Sequence, residues 1–283
     1  MSAFARVEDP DDPRVEAYRQ VRERDLVGRE GRFVIEGEVV LRLASERSRF
    51  AIESVLIAEN RVDSLADVFA RLASDTPVLV ASGATMSAIA GFPMHRGILA
   101  IGRRREDTDV DALLGSLGPD AIVLILAGIA NHDNVGGLFR NAAAFGVGAV
   151  LLDIASCDPL YRKAIRVSAG ATLVVPFQRE GTLDALAERV TAAGFTLLAT
   201  SPAGLETVST LQVEGRVAVV MGSEGNGLPA DFLKRSRTVR IGMAAGFDSL
   251  NVATAAGIVL HQLAALRPPL LNTSSTRPTE RNR

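Results

Sequence analysis

Short apolar runs of strand length alternate with helical segments through the second half of the chain, and that alternation narrows the fold more than any other feature. Strands are predicted at 122–127, 149–152, 173–176, 196–200, 217–221 and 238–241, with helices near 135–145, 160–168, 182–193, 229–235 and 250–265. Strands apolar along their whole length belong to a parallel sheet covered on both faces by helices, so the class is α/β. Ligands of such sheets sit beyond the carboxyl ends of the strands. The loops there carry the chemical interest.

The remainder divides by pattern. Residues 1–32 read as a polar helical lead-in, and 33–103 as a small α/β unit with strands near 33–37, 52–58, 77–81 and 97–102. Residues 104–118 are charged and Gly-punctuated, a linker; 119–267 form the second unit; 268–283, rich in Ser, Thr, Pro and Arg, are expected to be disordered. No internal repeat is present.

Composition excludes several classes. At 47% hydrophobic and 23% charged, the chain has ample material for a core. No apolar run reaches the roughly 18 residues of a membrane span, and the first ten residues lack a signal peptide's basic-then-apolar pattern. Cys157 is the only cysteine, so a reducing compartment, the cytoplasm, is expected. Of 31 basic residues only Lys163 and Lys234 are lysines. Arginine suits bidentate phosphate recognition, yet a net charge of −2 lacks the whole-domain signature of a nucleic-acid binder. A polyanion site must then be local, with Arg14, Arg19, Arg22, Arg24, Arg29 and Arg32, or Arg103, Arg104 and Arg105, as candidates. For the first group a solvated face is the favoured reading.

Three loops could hold chemistry. Asn134-Val135-Gly136-Gly137-Leu138-Phe139-Arg140 starts with a helix-capping residue, continues with two glycines and delivers an arginine. Each glycine costs about 1 kcal/mol in a helix relative to alanine, which suggests close approach to the backbone. Arg140 stands above Gly136, and the pair is a candidate anion or substrate site. The loop from Gly222 to Pro229 has the end glycines of a phosphate loop, but Leu228 and Pro229 stand where Lys and Ser/Thr are required. Gly225-Asn226-Gly227-Leu228-Pro229-Ala230 matches a dinucleotide pattern but lies near the end of its unit instead of the start. In the third loop, Asp248 or Ser249 suits a helix cap, and Asn251 is an amide wanting partners inside an apolar helix. His95, His132 and His261 lack metal-ligand spacing, so no metal is expected. His132 is either a general base or, as favoured, a solvent-facing loop histidine. Cys157 reads as a buried small residue.

Taken together, N-x-G-x-x-x-R at Asn134, Gly136 and Arg140, G-x-E-x-x-G at Gly222, Glu224 and Gly227, and Ser249-Leu250-Asn251-Val252-Ala253 resemble the SpoU/TrmH family of RNA ribose 2'-O-methyltransferases, in the SPOUT superfamily. Arg166-Val167-Ser168-Ala169-Gly170-Ala171 is also similar to a segment of that family. Glu36-Gly37 and His95-Arg96-Gly97-Ile98 are similar, more loosely, to its substrate-binding domain.

The resemblance implies a SPOUT-type parallel sheet with a trefoil knot over 119–267, S-adenosylmethionine bound in its loops, and a homodimer with the active site near the subunit interface. It also implies an RNA substrate bound with help from 33–103, with ribosomal RNA favoured over transfer RNA. Thr200, Gly222, Ile241, Met243 and Leu250 would contact the cofactor; Arg140, Asn134, Glu224, Ser249 and Asn251 would form the catalytic surround. The chain departs from the family in Ile241-Gly242-Met243, where Ile-Pro-Met is usual, and in His95-Arg96-Gly97, where His-Gln-Gly is usual. Ser249, Asn251 or water could take part in proton removal. A non-catalytic RNA-binding relative is the main alternative, and a dinucleotide oxidoreductase a distant third.

Overall fold

The computed structural model describes residues 4–19, 26–105, 109–246 and 249–267, apart from the side chains of residues 28 and 29. Arg22, Arg24, Asp248 and the tail 268–283 therefore lie outside the described residues.

In the first unit the strands are β1 (Phe4–Val7), β2 (Arg32–Glu36), β3 (Ala51–Ala58), β4 (Val78–Ala81) and β5 (Ile98–Arg103). The helices are α1 (Leu26–Glu30), α2 (Glu38–Arg47), α3 (Ala66–Phe69) and α4 (Gly83–Ala90). The strands form one sheet in the order β1-β4-β3-β5-β2, in which β1, β4 and β3 run parallel and β5 is antiparallel to both its neighbours. The helical lead-in expected over 1–32 is thus corrected. Phe4–Val7 is an edge strand, anchored by buried Val7 opposite Ala81 and by Phe4 edge-on to Phe69. Four residues are too few to show an alternation by themselves.

The second unit runs α5 (Val110–Gly115), β6 (Ile122–Ala127), α6 (His132–Ala144), β7 (Ala149–Leu152), α7 (Arg162–Val167), β8 (Phe177–Arg179), α8 (Leu183–Ala192) and β9 (Thr196–Thr200). It continues through β10 (Glu206–Thr207), β11 (Val217–Gly222), α9 (Ala230–Lys234), β12 (Arg237–Arg240) and α10 (Val252–Ala265). The sheet order is β10-β12-β9-β11-β6-β7-β8, and every pairing is parallel. Alternation along β6 explains why the strand is apolar throughout. Ile122, Leu124 and Leu126 enter a core with α6, α7 and α10, whereas Val123, Ile125 and Ala127 enter another with α5, α8 and α9. Since α5 belongs to that second core, the expected linker over 104–118 is partly structural. The strand expected at 173–176 is displaced to Phe177–Arg179: Pro176 has no N–H for a ladder, and Gly170, with φ of 88°, opens a 3-10 turn at Ala171–Leu173.

The two units share a core. Phe33, Ile35, Val40 and Leu41 pack in the same cluster as the α6 and α10 residues. Arg49 donates its backbone N–H to Leu173 O at 2.9 Å, and the rings of Phe50 and Phe177 lie 6.2 Å apart. Buried Glu36 accepts from Arg162 at 2.7 Å. A side chain at Gly170 would meet Leu43 at 3.0 Å, so the Ser168-Ala169-Gly170 segment is where the second unit receives α2.

The paired glycines of α6 also belong to packing. A Cβ at Gly136 would lie 2.8 Å from Ala164 O and from Val167 Cβ, and one at Gly137 would lie 2.8 Å from Ala253 Cβ. The reading of Gly136 as a bare patch for a ligand is therefore corrected: α7 occupies that space, as α10 does at Gly137. Gly136→Ala would ordinarily gain about 1 kcal/mol in a helix, but the overlap should reverse the sign to a net loss of about 1–3 kcal/mol. At Gly115 an added Cβ meets nothing within 4 Å, so Gly115→Ala should be neutral or stabilising by up to about 1 kcal/mol. Urea midpoints should fall for the first variant and hold or rise for the second; no fall in the first would show that α6 and α7 have slack.

Candidate active site

Asn251 joins the three loops. It is the N-cap of α10, and its side-chain Oδ1 accepts from the backbone N–H of Ala253 at 3.0 Å and of Thr254 at 3.2 Å. Those two amides require the oxygen on their side, which leaves the Nδ2 hydrogens pointing outward. Nδ2 donates to Asn134 Oδ1 at 2.9 Å and to Glu224 Oε1 at 3.0 Å. Both N–H bonds and both acceptor positions of this amide are thus used. Asn251 has no capacity left to take a proton, which removes it from the candidates for that step. The cap expected at Asp248 or Ser249 is corrected to Asn251; Ser249 is exposed, and Asp248 lies outside the described residues.

Asn134 is likewise not a cap. The cap of α6 is Asn131, whose Oδ1 accepts from Asp133 N at 2.8 Å. Asn134 lies inside the first turn, 6% exposed, with its carbonyl oxygen aimed at α10. Packing at Gly137 against Ala253, and the Asn141 Nδ2 donation to Ala253 O at 2.6 Å, hold the two helices at the distance this hydrogen bond needs.

Beside the bridge lies a cavity of ≈ 440 Å³ at the carboxyl ends of β9, β11 and β12. Thr200, Gly222, Ile241, Met243 and Leu250, all expected to contact a cofactor, line it, and Glu224 and Ser249 stand in its wall. Thr200 Oγ1 donates to Val220 O at 2.8 Å, which pins the end of β9 to β11. The backbone folds back over Gly222, where a Cβ would lie 2.5 Å from Gly227 C and 2.6 Å from Leu228 N. Ser223 and Gly227 form a bridge across the turn, so the loop is a tight hairpin-like turn and not a phosphate cradle. Gly242, by contrast, has open space where its Cβ would be.

Arg140 is not brought into that group. It is exposed, and its side chain makes no ion pair or hydrogen bond among the described residues. Six residues beyond Asn134, it projects roughly 120° around the helix from that residue. His132 is the first residue of α6 instead of a loop residue, edge-on to Tyr161 with centroids 4.7 Å apart. Burial, then the nearby Lys163 cation, hold its pKa below the ordinary value. Cys157 is half-buried, and burial, then Asp158, push its thiol up to about 11. It is a poor nucleophile.

Asp153 escaped the reading of the sequence. Buried after β7, it accepts from Gly128 N with both oxygens at 3.0 Å and from Ser156 N at 2.9 Å. Ser156 Oγ in turn accepts from Ile129 N at 2.9 Å. This pair fixes the loop that leads into Asn131 and α6. An acid directly after an apolar strand was the visible signal. The arginine clusters prove to be largely paired: Arg14 with Asp12, Arg19 with Asp11 and Glu16, Arg32 with Glu30 and Glu53, Arg103 with Glu53, and Arg104 with Asp158. Among the described residues no group of His, Cys, Asp and Glu could hold a metal, and no helix is long and apolar enough to cross a membrane.

An α/β protein with converging amide, carboxylate and glycine loops at the end of a parallel sheet has known counterparts. A model of the SpoU rRNA methylase family matches residues 121–261. An uncharacterised tRNA/rRNA methyltransferase of Mycobacterium tuberculosis is 36% identical over 264 residues, covering 90% of this chain and 89% of the relative. Among solved structures, an AdoMet-bound rRNA methyltransferase from Sinorhizobium meliloti superposes with a TM-score of 0.77 at 23% identity, over 93% of this chain and 98% of that one. An RNA 2'-O ribose methyltransferase superposes with a TM-score of 0.76 at 25% identity, over 93% and 99%. The chain belongs to the SpoU family of RNA methyltransferases.

Two substitutions separate the cap from the bridge. Asn251→Asp keeps an acceptor for Ala253 and Thr254 but loses the donors and sets a carboxylate beside Glu224. Asn251→Ala loses both functions, and losing the cap costs about 1 kcal/mol. Hydrogen exchange at Ala253 and Thr254 should remain slow in the aspartate variant and quicken in the alanine variant. Equal exchange in the two would show that the cap is not what Asn251 supplies to α10.

Proposed function

We propose that this protein transfers a methyl group from S-adenosylmethionine to a ribose 2'-hydroxyl of structured RNA, ribosomal RNA in preference to transfer RNA. The observation that carries this reading is the double donation of Asn251 to Asn134 and Glu224 at the rim of the ≈ 440 Å³ cavity. Likeness to the solved RNA 2'-O ribose methyltransferase supports the reaction, and the match to the SpoU rRNA methylase family supports the RNA class. Residues 119–267 are the methyltransferase part and 33–103 the RNA-binding part. The trefoil knot and the cytoplasmic location implied by the family resemblance belong to the same proposal.

The residues present suit the cofactor. Ile241, Leu250, Val252 and Val259 supply apolar surface for a flat base, while Thr200, Ser201 and the backbone around Gly222 offer polar partners for a ribose. The volume falls within the usual range for a small-molecule site, about 300–1,000 Å³. Bound S-adenosylmethionine supplies an electrophilic methyl group. The chain's task is to place a hydroxyl in line with it, and positioning of this kind contributes much of such rate enhancements. Asn134 and Asn251 form a rigid floor, since neither amide can rotate without losing a hydrogen bond. Glu224 keeps one carboxylate oxygen free of Asn251 and is exposed, so it, Ser249 or water takes the proton. A guanidinium stays protonated, so Arg140 clamps the phosphate next to the reacting ribose and stabilises developing negative charge.

Because Arg140 projects away from Asn134, it serves the site of a second copy. A homodimer through the α6–α10 face provides this. Ile258 is 41% exposed there, beside a surface cleft lined by Asn141, Phe145 and His261. Sedimentation should find a dimer, with Ile258→Glu shifting it toward monomer. A monomeric wild type would remove the role of Arg140 across an interface.

Calorimetric titration with S-adenosylhomocysteine tests the cofactor. Wild type and Arg140→Ala should bind alike, and Gly222→Ala should bind at least about tenfold more weakly, since one displaced backbone contact costs about 1.4 kcal/mol or more. Methyl transfer to protein-free ribosomal RNA should fall by about a hundredfold or more in Arg140→Ala. Near-normal rates in Arg140→Lys would rule out a bidentate clamp. No binding by the wild type would favour a non-catalytic RNA-binding relative.

A further inference from the structure

Arg61 and Arg96 differ from most other arginines of the first unit in sharing one cavity without an ion pair, whereas Arg47, also without one among the described residues, lies away from that cavity. Arg42, Arg71 and Arg103 each face a carboxylate, as does Arg32. The side chains of Arg61 and Arg96 make no ion pair or hydrogen bond among the described residues. Arg61 ends the 3-10 turn Glu59–Arg61 after β3, and Arg96 lies in the turn before β5. The two turns touch. Ala58 N donates to Gly97 O at 2.8 Å, and a Cβ at Gly97 would lie 2.7 Å from Ala58 Cβ and 3.8 Å from Arg61 Cγ. The Arg96 guanidinium lies over Gly37, where a Cβ would be 3.2 Å from Nη1. Both arginines line a cavity of ≈ 240 Å³.

The two carboxylates at that cavity already have partners. Glu36 pairs with Arg162 at 2.7 Å and with Arg166 at 4.0 Å, and Glu38 pairs with Arg42 at 2.9 Å. The positive charge of Arg61 and Arg96 is therefore uncompensated. From Glu36 the cationic surface continues along α7. Arg162 stacks over Phe92 at 5.0 Å, Arg166 is exposed, and Lys163 reaches Asp133 at 2.7 Å, one residue before Asn134.

We propose that the strip from Arg61 and Arg96 across α7 grips the sugar–phosphate backbone of the RNA substrate at a distance from the methylated nucleotide; this rests on the RNA methyltransferase reading above. Free guanidiniums offer planar, bidentate donors to phosphate without an internal ion pair to break. In a chain with net charge −2, attraction to a polyanion must come from such a local surface. Contacts of this kind set the register of the RNA and carry no base information. Arg96 also replaces the glutamine usual in His-Gln-Gly, so this chain adds a charge there.

The test is the salt dependence of binding to a fluorescein-labelled stem–loop RNA. It compares wild type, Arg61→Gln, Arg96→Gln, the double variant and Arg47→Gln. Arg47, exposed at the far end of α2, is about 15 Å from the cavity by helix rise. Each single variant should lower the slope of log affinity against log salt by about 1, and the double by about 2. At about 0.1 M salt the double variant should bind roughly ten- to a hundredfold more weakly. Arg47→Gln should match wild type, and S-adenosylhomocysteine affinity should be unchanged throughout. A wild-type slope in the double variant, or an equal fall in Arg47→Gln, overturns the strip while leaving the methyltransferase reading intact. A wild type that binds S-adenosylhomocysteine but no RNA overturns both.

Discussion

Helix α6 has neighbours on two sides at distances that a side chain would not permit, and the active-site geometry depends on that compression. Gly136 admits α7 and Gly137 admits α10; in each case a single methyl group would overlap an atom at 2.8 Å. The intrinsic cost of two glycines in a helix, about 1 kcal/mol each, is offset by dispersion contacts along two helix–helix seams. It is this approach that puts Asn134 within hydrogen-bonding distance of Asn251. The glycines act through packing, and packing brings the two amides together.

The layers around α6 transmit the same constraint outward. The parallel sheet is apolar on both faces because two cores flank it, and the core on the α6 side continues into the sheet of the first unit. Buried Glu36 and part-exposed Arg162 form a hydrogen-bonded pair at that junction. Such a pair contributes little net stability, but removing one partner leaves a costly buried charge. The junction accordingly favours one arrangement of the units. The first unit is held at a set place relative to α7, and α7 at a set place relative to α6.

Polar groups around the cavity divide into those fixed by partners and those left open. Asn251 is saturated by α10, Asn134 and Glu224. Asp153 and Ser156 saturate the backbone of the loop before α6. Glu224 and Ser249 stay exposed at the cavity, and Arg140 stays unpaired on the helix surface among the described residues.

The sequence alone determined the α/β class and the bounds of β6, β7 and β9, because strand-length apolar runs are local signals; Thr200, Gly222, Ile241, Met243 and Leu250 were named through the family resemblance. Three motifs in order also sufficed to point to the family. It could not determine who caps α10: Asp248 or Ser249 suited that role, with Asn251 read as lying inside the helix, and the observed start of α10 at Val252 assigns the cap to Asn251. Nor could it assign Gly136 and Gly137 to packing, because an empty backbone reads the same whether a ligand or a helix approaches it. The edge strand at Phe4–Val7, the acceptance by Asp153 from Gly128 and the pairing of Arg32 with Glu53 were decided by residues distant in the chain. Tertiary structure alone shows that Arg61 and Arg96 were left without carboxylates among the described residues, because an ion pair is a fact of proximity and not of order along the chain.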